Sequence, residues 1–463
     1  MTSPDFALGR RSFLGAAAAT AGSWAVPTAF LSLLQRTEAK PVPASRGSLR
    51  PVRDDETGLE LMLLPEGFRY RSFGWKGDPL ADGSKTPGGH DGMGVIIEAD
   101  GIVTLCRNHE LNHIGAPFGS SEIQFDTRST GGCTNLTFDT RSGKFLKAWA
   151  SIAGTANNCA GGPTPWGTWL TCEETVVQTG DKTKEGQTYE LDHEHGYIFE
   201  VPVSRAMQPQ PLKAMGRFVH EAIAVDPNTG IVYETEDRTT SGFYRFLPKK
   251  RNELASGGEL QMLKVTNQAD LTKEHRIGVP FSCSWVTIAG PAQAHSAGKQ
   301  DALGVFSQGK AEGATTFARL EGCWWGQDAV FFTATSGGRH GLGQVWRYEP
   351  KSEQLSLVFE SPGRDVLDSP DNLTVSPRGG LVLCEDPERK PAKLLGLTSD
   401  GQLFDLAANN VTLNGERNGL KGDFLDSELA GATFSPDGQW LFANLQSPGI
   451  TLAITGPWSE IGL

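Results

Sequence analysis

Residues 167–174 read GTWLTCEE: a glycine, a short apolar strand and a polar end of two adjacent glutamates. The same plan recurs at 101–110 (GIVTLCRNHE), 230–237 (GIVYETED), 380–386 (GLVLCED), 438–446 (GQWLFANLQ) and, more loosely, 328–338 (DAVFFTATSGG). Most copies begin about sixty residues apart, and self-similarity at such a period indicates a radial array of small antiparallel sheets. We therefore predict an all-β fold, an about six-bladed β-propeller with inserted loops and short helices.

Turn signals between the copies support this prediction. The stretches DTRSGK (139–144), DPNTGI (226–231), SPRGGL (376–381) and SPDGQW (435–440) each precede a strand pattern. We predict one propeller domain over residues 46–463. The longest spacing predicts an excursion at roughly 249–318, with some helix near SQGKAEGATTFARLEG (307–322).

Composition narrows the range of partners. The chain has 463 residues and a net charge of −12, which argues against a nucleic-acid partner. Its seven cysteines form no C-x-x-C pair, so a zinc ribbon or a thioredoxin-like site is disfavoured. Cys172 and Cys384 lie in apolar strand patterns, and we predict that both are buried packing residues.

Residues 1–45 have the pattern of a targeting segment. Arg10 and Arg11 precede Ser-Phe-Leu and an Ala-rich, weakly apolar stretch, which predicts a twin-arginine signal. The alternative is a chance arginine pair before a membrane anchor; Pro27 and the small residues disfavour a stable spanning helix. We expect export by the twin-arginine machinery to the periplasm or the medium, no stable membrane span, and a monomer.

The polar ends of the repeated strands predict a cation site. In a propeller, equivalent strand ends meet at one mouth of the channel, so these side chains should converge: Asn108, His109, Glu110, Glu173, Glu174, Glu236, Asp237, Glu385, Asp386, Asn444 and Gln446. So many carboxylates would repel one another unless cations neutralised them. The alternative is that each acid caps its own strand and faces solvent.

Other short motifs add candidate ligands. Cys159 lies in NNCAGG (157–162), where Gly161 and Gly162 would let the backbone approach a metal. The further pairs are His90 with Asp91, His220 with Glu221, Arg319 with Glu321, and Asp371 with Asn372. Arg319 and Glu321 are two apart and should share one side of an extended segment. The alternatives are a buried structural thiol for Cys159 and a surface ion pair for Arg319.

These motifs resemble those of the PhoX-type alkaline phosphatases. The matching stretches are LPEGFRY (64–70), HDGMG (90–94), NCAGGPTPWGTWLTCEE (158–174), GRFVHEA (216–222), FARLEG (317–322), SPDNLTVSPRGGLVLCED (369–386) and ATFSPDGQWLFANLQSPG (432–449). The resemblance implies a six-bladed propeller that holds ferric iron (Fe3+) and calcium (Ca2+). It also implies hydrolysis of phosphomonoesters, with small phosphate esters as substrates.

The resemblance also implies roles for individual residues. Cys159 matches an iron-binding thiolate, Glu174 a metal-binding carboxylate, and Glu221 and Glu321 metal-bridging glutamates. Arg319 matches an arginine that grips the substrate phosphate beside Glu321 in the catalytic centre. The acidic calcium positions match Asp371 and Asp386. The chain departs from the family at Ser447, where the family commonly has histidine.

Two other functions share this architecture. A calcium-dependent lactonase or phosphotriesterase propeller would use a ring of acids around calcium without Cys159 or Arg319. A non-catalytic periplasmic binding propeller would hold no tightly bound iron. The phosphatase needs no protein nucleophile, and the sequence has neither a G-x-S-x-G elbow nor a phosphate-binding G-x-x-x-x-G-K-[ST] loop.

Overall fold

Antiparallel sheets make up the computed structural model, which describes residues 48–111, 114–183, 186–203 and 208–463. The predicted signal segment, residues 1–45, lies outside this range. The first four-stranded sheet contains β4 (His90–Ala99), β5 (Ile102–His109), β6 (Gly131–Asp139) and β7 (Lys144–Thr155). A three-stranded sheet follows, with β8 (Asn158–Pro163), β9 (Thr168–Glu173) and β10 (Ile198–Pro202).

The largest sheet has nine strands. They are β11 (His220–Val225), β12 (Val232–Glu236), β13 (Phe243–Pro248), β14 (Gly258–Val265), β15 (Pro280–Thr287), β16 (Leu320–Gly326), β17 (Ala329–Ala334), β18 (Gln344–Glu349) and β19 (Gln354–Glu360). Strand β15 pairs with both β14 and β19, so it joins two successive four-stranded units into one sheet.

The remaining sheets bring the two ends of the described chain together. The six-stranded sheet contains β1 (Arg50–Val52), β2 (Met62–Leu64), β20 (Pro370–Val375), β21 (Leu381–Glu385), β22 (Lys393–Leu397) and β23 (Leu403–Asn409). The second four-stranded sheet contains β3 (Arg69–Phe73), β26 (Leu429–Phe434), β27 (Trp440–Leu445) and β28 (Ile450–Thr455). A small hairpin consists of β24 (Thr412–Asn414) and β25 (Lys421–Asp423). Because β3 pairs with β28, an early strand completes the last sheet.

Helix is scarce among the described residues. There are two short α-helices, α1 (Gly304–Ala311) and α2 (Trp458–Ile461), and three 3-10 turns, Ser121–Ile123, Lys213–Met215 and Leu254–Ser256. The predicted excursion at 249–318 contains β14, β15 and α1. In the described part of the chain, no helix has the length and apolar character needed to cross a membrane.

Six strands, each of which begins an antiparallel pair, contact one another in a closed ring, in the order β4, β8, β11, β16, β20 and β26. We call them the first strands. Each pairs with the strand that follows it, and those second strands are the repeated segments of the sequence. Apolar side chains fill the layers between neighbouring sheets, and Cys172 and Cys384 are fully buried there, as predicted. The all-β, propeller-like prediction is confirmed.

Three of the predicted turn signals (226–231, 376–381 and 435–440) form hairpins between first and second strands, and the fourth (139–144) connects β6 to β7. Asp226 accepts a hydrogen bond from Asn228 N at 2.8 Å, and Ser435 Oγ accepts one from Trp440 N at 3.0 Å. Gly438 has a φ of 67°, in the left-handed region that favours glycine. Short side-chain bonds to the backbone therefore stabilise each reversal of the chain.

A buried ionic triad fixes the long connection between β9 and β10. His195 Nδ1 lies 2.6 Å from Glu173 Oε1, and its Nε2 lies 3.4 Å from Asp126 Oδ2. Burial alone would lower the pKa of His195, but Glu173 and Asp126 outweigh it and raise that pKa to about 9. His195 is therefore charged at neutral pH, between two carboxylates.

This triad predicts a pH dependence of stability. The folded-state pKa of His195 lies above its unfolded value of about 6.5, so the protonated side chain stabilises the fold. This stabilisation is fully present below pH 6.5 and disappears as the pH rises through about 9. The full contribution is about 3 kcal/mol. We expect the difference in free energy of unfolding between wild type and His195→Asn to shrink by about this amount between pH 6 and pH 10 in urea titrations. An equal pH slope for both proteins would contradict the assignment of a charged His195.

Candidate functional site

One end of the ring of first strands opens into an acidic cavity of about 470 Å³. Its described lining is Glu110, Cys159, Glu174, Glu221, Arg319, Glu321, Asp371, Asp386, Phe424, Asp426, Ser427, Glu428, Gln446 and Ser447. Eight of these side chains are carboxylates, and Arg319 is the one cation among them. The residues for which the family resemblance implies a metal or phosphate role all lie in this lining: Cys159, Glu174, Glu221, Arg319, Glu321, Asp371 and Asp386.

A register shift in each first strand positions the deepest side chains. In all six strand pairs the pairing shifts at the start of the first strand, where a β-bulge places extra residues opposite the partner. We call the first residue inside each bulge the bulge residue: Asp91, Cys159, Glu221, Glu321, Asp371 and Gly431. Five of the six offer an acid or a thiol, and Gly431 is the exception.

Two further positions repeat around the ring. We call the residue before each first strand the lead residue and the residue after each second strand the end residue. The backbone N–H of each end residue donates to the carbonyl of the lead residue of the same pair: Glu110 to Gly89, Glu174 to Asn157, Asp237 to Val219, Thr335 to Arg319, Asp386 to Ser369, and Gln446 to Glu428. These six bonds, of 2.8 to 3.2 Å, place lead, bulge and end residues at one mouth.

Adjacent acids at the strand ends have different roles, because successive side chains on a strand point to opposite faces. Glu173 accepts bonds from the N–H groups of Ala156, Gly196 and Tyr197, at 2.9, 2.7 and 3.0 Å. Glu236 likewise accepts from Gly242 N, and Glu385 from Asp368 N. The prediction that all strand-end acids converge was therefore wrong for Glu173, Glu236 and Glu385, which stabilise loops.

Three side chains form the first acidic cluster. Ligand atoms of Cys159, Glu174 and Glu221 all lie within 4.8 Å of one another. The thiol of Cys159 donates to Glu221 Oε1 at 3.1 Å, and Asn157 Nδ2 donates to Glu174 Oε2 at 3.0 Å. A sulfur atom with two carboxylates is a donor set that suits a transition-metal ion.

A second acidic cluster contains Asp91, Glu110 and Glu428, whose ligand atoms also lie within 4.8 Å of one another. Gln446 Nε2 donates to Glu110 Oε2 at 2.6 Å and to Asp91 Oδ2 at 3.2 Å. Three carboxylates without sulfur suit a hard cation such as calcium. Asp91 and Glu110 were among the candidate cation ligands predicted from the sequence, whereas Glu428 was missed because it lies in no strand-end motif.

Arg319 is already held by carboxylates. Its Nε and Nη2 donate to the two oxygens of Asp237 at 3.0 and 3.1 Å, and Nη2 also pairs with Glu321. Burial alone would lower the pKa of Arg319, but Glu321 and Asp237 raise it. The guanidinium is therefore fixed and charged, and its Nη1 has no protein hydrogen-bond partner among the described residues.

The backbone of Arg319 has an uncommon conformation. Its φ is 48°, in the left-handed region that side chains other than glycine seldom adopt. The lead residues Gly89, Asn157 and Ser369 share this conformation, with φ values of 58°, 51° and 54°. The chain therefore enters the first strand in a similar way in four of the six pairs. The left-handed conformation of Arg319 has a cost of roughly 1 kcal/mol.

The carboxylates of the cavity are destabilised by burial and by each other. Burial, followed by repulsion from neighbouring acids, raises the pKa of Glu174, Glu221 and Glu321 well above the usual value. Burial likewise raises the pKa of Asp371 to about 7. The thiol pKa of Cys159 is raised by burial and then by Asp91 and Glu221. Bound cations would reverse these shifts, so the residues present fit metal ions.

The glycines of NCAGG serve packing within and between sheets. A Cβ on Gly161 would meet the carbonyl oxygen of Leu170 at 2.0 Å, and one on Gly162 would meet that of Ile223 at 2.2 Å. Gly161 therefore lets β8 approach β9, and Gly162 lets β8 approach β11. The interpretation that they let the backbone approach a metal is replaced by this one.

Comparisons with known proteins give one family. A family model described as the alkaline phosphatase PhoX matches residues 47–449, nearly the whole chain. No curated protein matches the chain.

Several solved structures are similar at low identity. A putative gluconolactonase shares 11% identity with a TM-score of 0.40, covering 88% of this chain and 98% of its own. A gluconolactonase from Xanthomonas campestris shares 13% with a TM-score of 0.36, covering 91% and 99%. A protein of unknown function from Bacteroides thetaiotaomicron shares 8% with a TM-score of 0.41, covering 84% and 76%.

Charge crowding predicts the effect of removing one carboxylate. A raised folded-state pKa means that ionised Asp371 destabilises the cation-free protein at pH 8, by up to about 4 kcal/mol. We expect Asp371→Asn to be more stable than wild type to urea in excess chelator, and to gain less stability when calcium is added. Asp365→Asn, at a fully exposed carboxylate, should change neither quantity. A lower stability of Asp371→Asn in chelator would contradict the cost of burying an ionised carboxylate at this position.

Proposed function

Because the chain belongs to the PhoX family of alkaline phosphatases, we propose that the acidic cavity is its active site. The protein is an alkaline phosphatase, a phosphoric monoester hydrolase that releases inorganic phosphate from small phosphate esters. The observation that carries the proposal is the convergence of Cys159, Glu174, Glu221, Arg319 and Glu321 on one cavity from strands far apart in sequence.

The two acidic clusters are the proposed metal sites. Cys159, Glu174 and Glu221 would hold ferric iron, since a thiolate with hard carboxylates suits that ion. Asp91, Glu110 and Glu428 would hold calcium through oxygen ligands alone. Glu321, Asp371 and Asp386, which also line the cavity, would complete the ligand set. When bound, these cations supply Lewis-acid stabilisation of the charge that develops on the phosphate oxygens.

Arg319 is the proposed phosphate contact. Asp237 occupies the Nε–Nη2 edge of its guanidinium, which leaves Nη1 as the donor with no protein hydrogen-bond partner among the described residues. A bidentate grip on phosphate would therefore use Nη1 together with Nη2, which would exchange its contact with Glu321 for one with the substrate. Asp237 would keep the guanidinium oriented throughout, so little side-chain freedom is lost on binding.

The repeated geometry supports a division into six blades. The six strand pairs have the same bulge, the same lead-to-end hydrogen bond and a closed ring of contacts. On this division β15 is an insertion that links the third and fourth blades, and β1–β2 extend the fifth. We infer a single catalytic domain over residues 46–463.

The site also bears on the cellular location. A twin-arginine route carries folded proteins, so the metals could be inserted before export. We propose that residues 1–45 direct such export to the periplasm or the medium, and that the exported protein is a monomer.

The proposed phosphate contact can be tested at Arg319. Arg319→Ala should lower kcat/KM for a phosphomonoester roughly a hundredfold, since a bidentate charge-assisted contact contributes about 3 kcal/mol. Metal content, measured by elemental analysis, should stay unchanged. Arg319→Lys keeps the charge without the planar fork and should recover only part of the rate.

A surface arginine provides the control. Arg128 pairs with exposed Glu190 far from the cavity, and Arg128→Ala should keep wild-type kinetics. Wild-type kcat/KM in Arg319→Ala would remove Arg319 from the site.

The proposed metal sites can be tested by absorption of visible light. A thiolate bound to ferric iron absorbs visible light, so the metal-loaded protein should be coloured. Cys159→Ser offers a harder, poorly ionised oxygen and should lose both the band and most of the iron. Calcium chelation should remove activity reversibly and leave the colour, because calcium exchanges readily at oxygen sites.

Cys172→Ser is the matched control. Cys172 is fully buried in the core and does not line the cavity, so the Cys172→Ser protein should keep the visible absorption band. A colourless, iron-free wild-type protein that still hydrolyses phosphomonoesters would show that Cys159 is not an iron ligand.

A further inference from the structure

The rim of the cavity contains one feature that phosphate chemistry does not require. Among the described lining residues, Phe424 alone has a hydrocarbon side chain. A phosphate group and cations are recognised by charged and polar atoms. An aromatic ring beside them is suited instead to the alcohol portion of a phosphate ester.

Phe424 belongs to a segment that crosses between two sheets. We call residues 410–428, which connect β23 to β26 and include the β24–β25 hairpin, the strap. Asn409 is fully buried, and its Nδ2 donates to the carbonyls of Phe424 at 2.6 Å and Ser427 at 2.9 Å. The N–H of Phe424 donates to Val411 O at 3.0 Å. The backbone of Phe424 is thus fixed on both sides.

The far end of the strap is also fixed. Arg417 donates to both oxygens of Asp78, at 3.2 and 2.8 Å, and its guanidinium lies 5.4 Å from the ring centre of Trp75. Asn418 Nδ2 donates to Lys76 O at 2.9 Å. The hairpin is therefore held against the loop that follows β3, and it does not depend on a ligand for its position.

Phe424 lies between the apolar core and the cavity. It packs on the core beneath the strap, and a Cβ on Gly422 would come within 3.2 Å of its ring. Phe424 also lines the cavity, as do Ser427 and Ser447. Ser447 N donates to Ser427 Oγ at 2.8 Å, which links these two polar residues of the lining.

We propose that Phe424 is the specificity-determining residue for the leaving alcohol of the ester. The proposal rests on the proposed active site. The ring contacts the alcohol portion while the phosphate lies deeper among the acids and Arg319. It selects monoesters whose alcohol has a flat apolar face, an aryl or nucleoside group, over esters of small polyols.

The test compares two substrates in the metal-loaded protein. Phe424→Ala should lower kcat/KM for phenyl phosphate about tenfold, the value of one well-formed aromatic contact, and change that for glycerol 2-phosphate less than about twofold. The loss should appear in KM, because the contact is the same in ground and transition states. Phe424→Tyr should retain the preference. Inhibition by inorganic phosphate, which has no alcohol portion, should not change.

Phe145→Ala provides the matched control, since Phe145 is a partly exposed aromatic residue (37%) outside the cavity lining. It should leave both substrates and phosphate inhibition unchanged. Equal losses for both esters in Phe424→Ala, or no loss for either, would overturn the proposal. If the wild-type protein hydrolysed neither ester, the proposed active site itself would be overturned.

Discussion

The β-bulge at the start of each first strand is the constraint on which the site depends. An ordinary register would give these strands one inward side chain for every two residues. The bulge adds residues opposite the partner strand and bends the backbone, and in five of the six strand pairs the bulge residue is an acid or Cys159. The hydrogen bond from each end residue to the lead residue then fixes a second ligand position at the same mouth. One backbone device, repeated around a ring, therefore concentrates ligands that are far apart in sequence.

This concentration of charge is unfavourable for the fold without cations. Burial and mutual repulsion raise the pKa values of Glu174, Glu221 and Glu321, so the ionised cavity opposes folding at alkaline pH. The neighbouring acids Glu173 and Glu385 have a different role, because they accept hydrogen bonds from backbone N–H groups and hold loops in place. Acids one residue apart on the same strand thus stabilise the fold on one face and create a cation site on the other.

The repeat length and the strand-end acids were enough to predict an all-β, propeller-like fold and most of the cavity. The sequence could not separate Glu173 from Glu174, since which of two adjacent side chains faces the channel depends on strand register. Glu428 was missed because it lies in a lead position, outside the strand pattern. The contact between Arg319 and Asp237 joins two different strand pairs, and a local motif contains no information about such a pairing. The strap was missed for a similar reason, because its position depends on Asn409 and Asp78 rather than on its own residues.

The places where the repeat fails explain why the cavity is not symmetrical. The fourth strand pair has Thr335 at its end position, where four other pairs have an acid, and it has Arg319 at its lead position. A neutral residue in place of an acid, next to a guanidinium, makes this part of the cavity less negative than the rest, and an anionic phosphate can approach it there. The last pair has Gly431 at its bulge position, and Glu428 supplies the missing carboxylate from the lead position. Phe424, in the strap that leads to Glu428, adds the hydrocarbon side chain to the lining. A ring of equivalent positions would bind cations equally on all sides. The departures at these two pairs give the cavity a phosphate side and an alcohol side, and a phosphomonoester needs both.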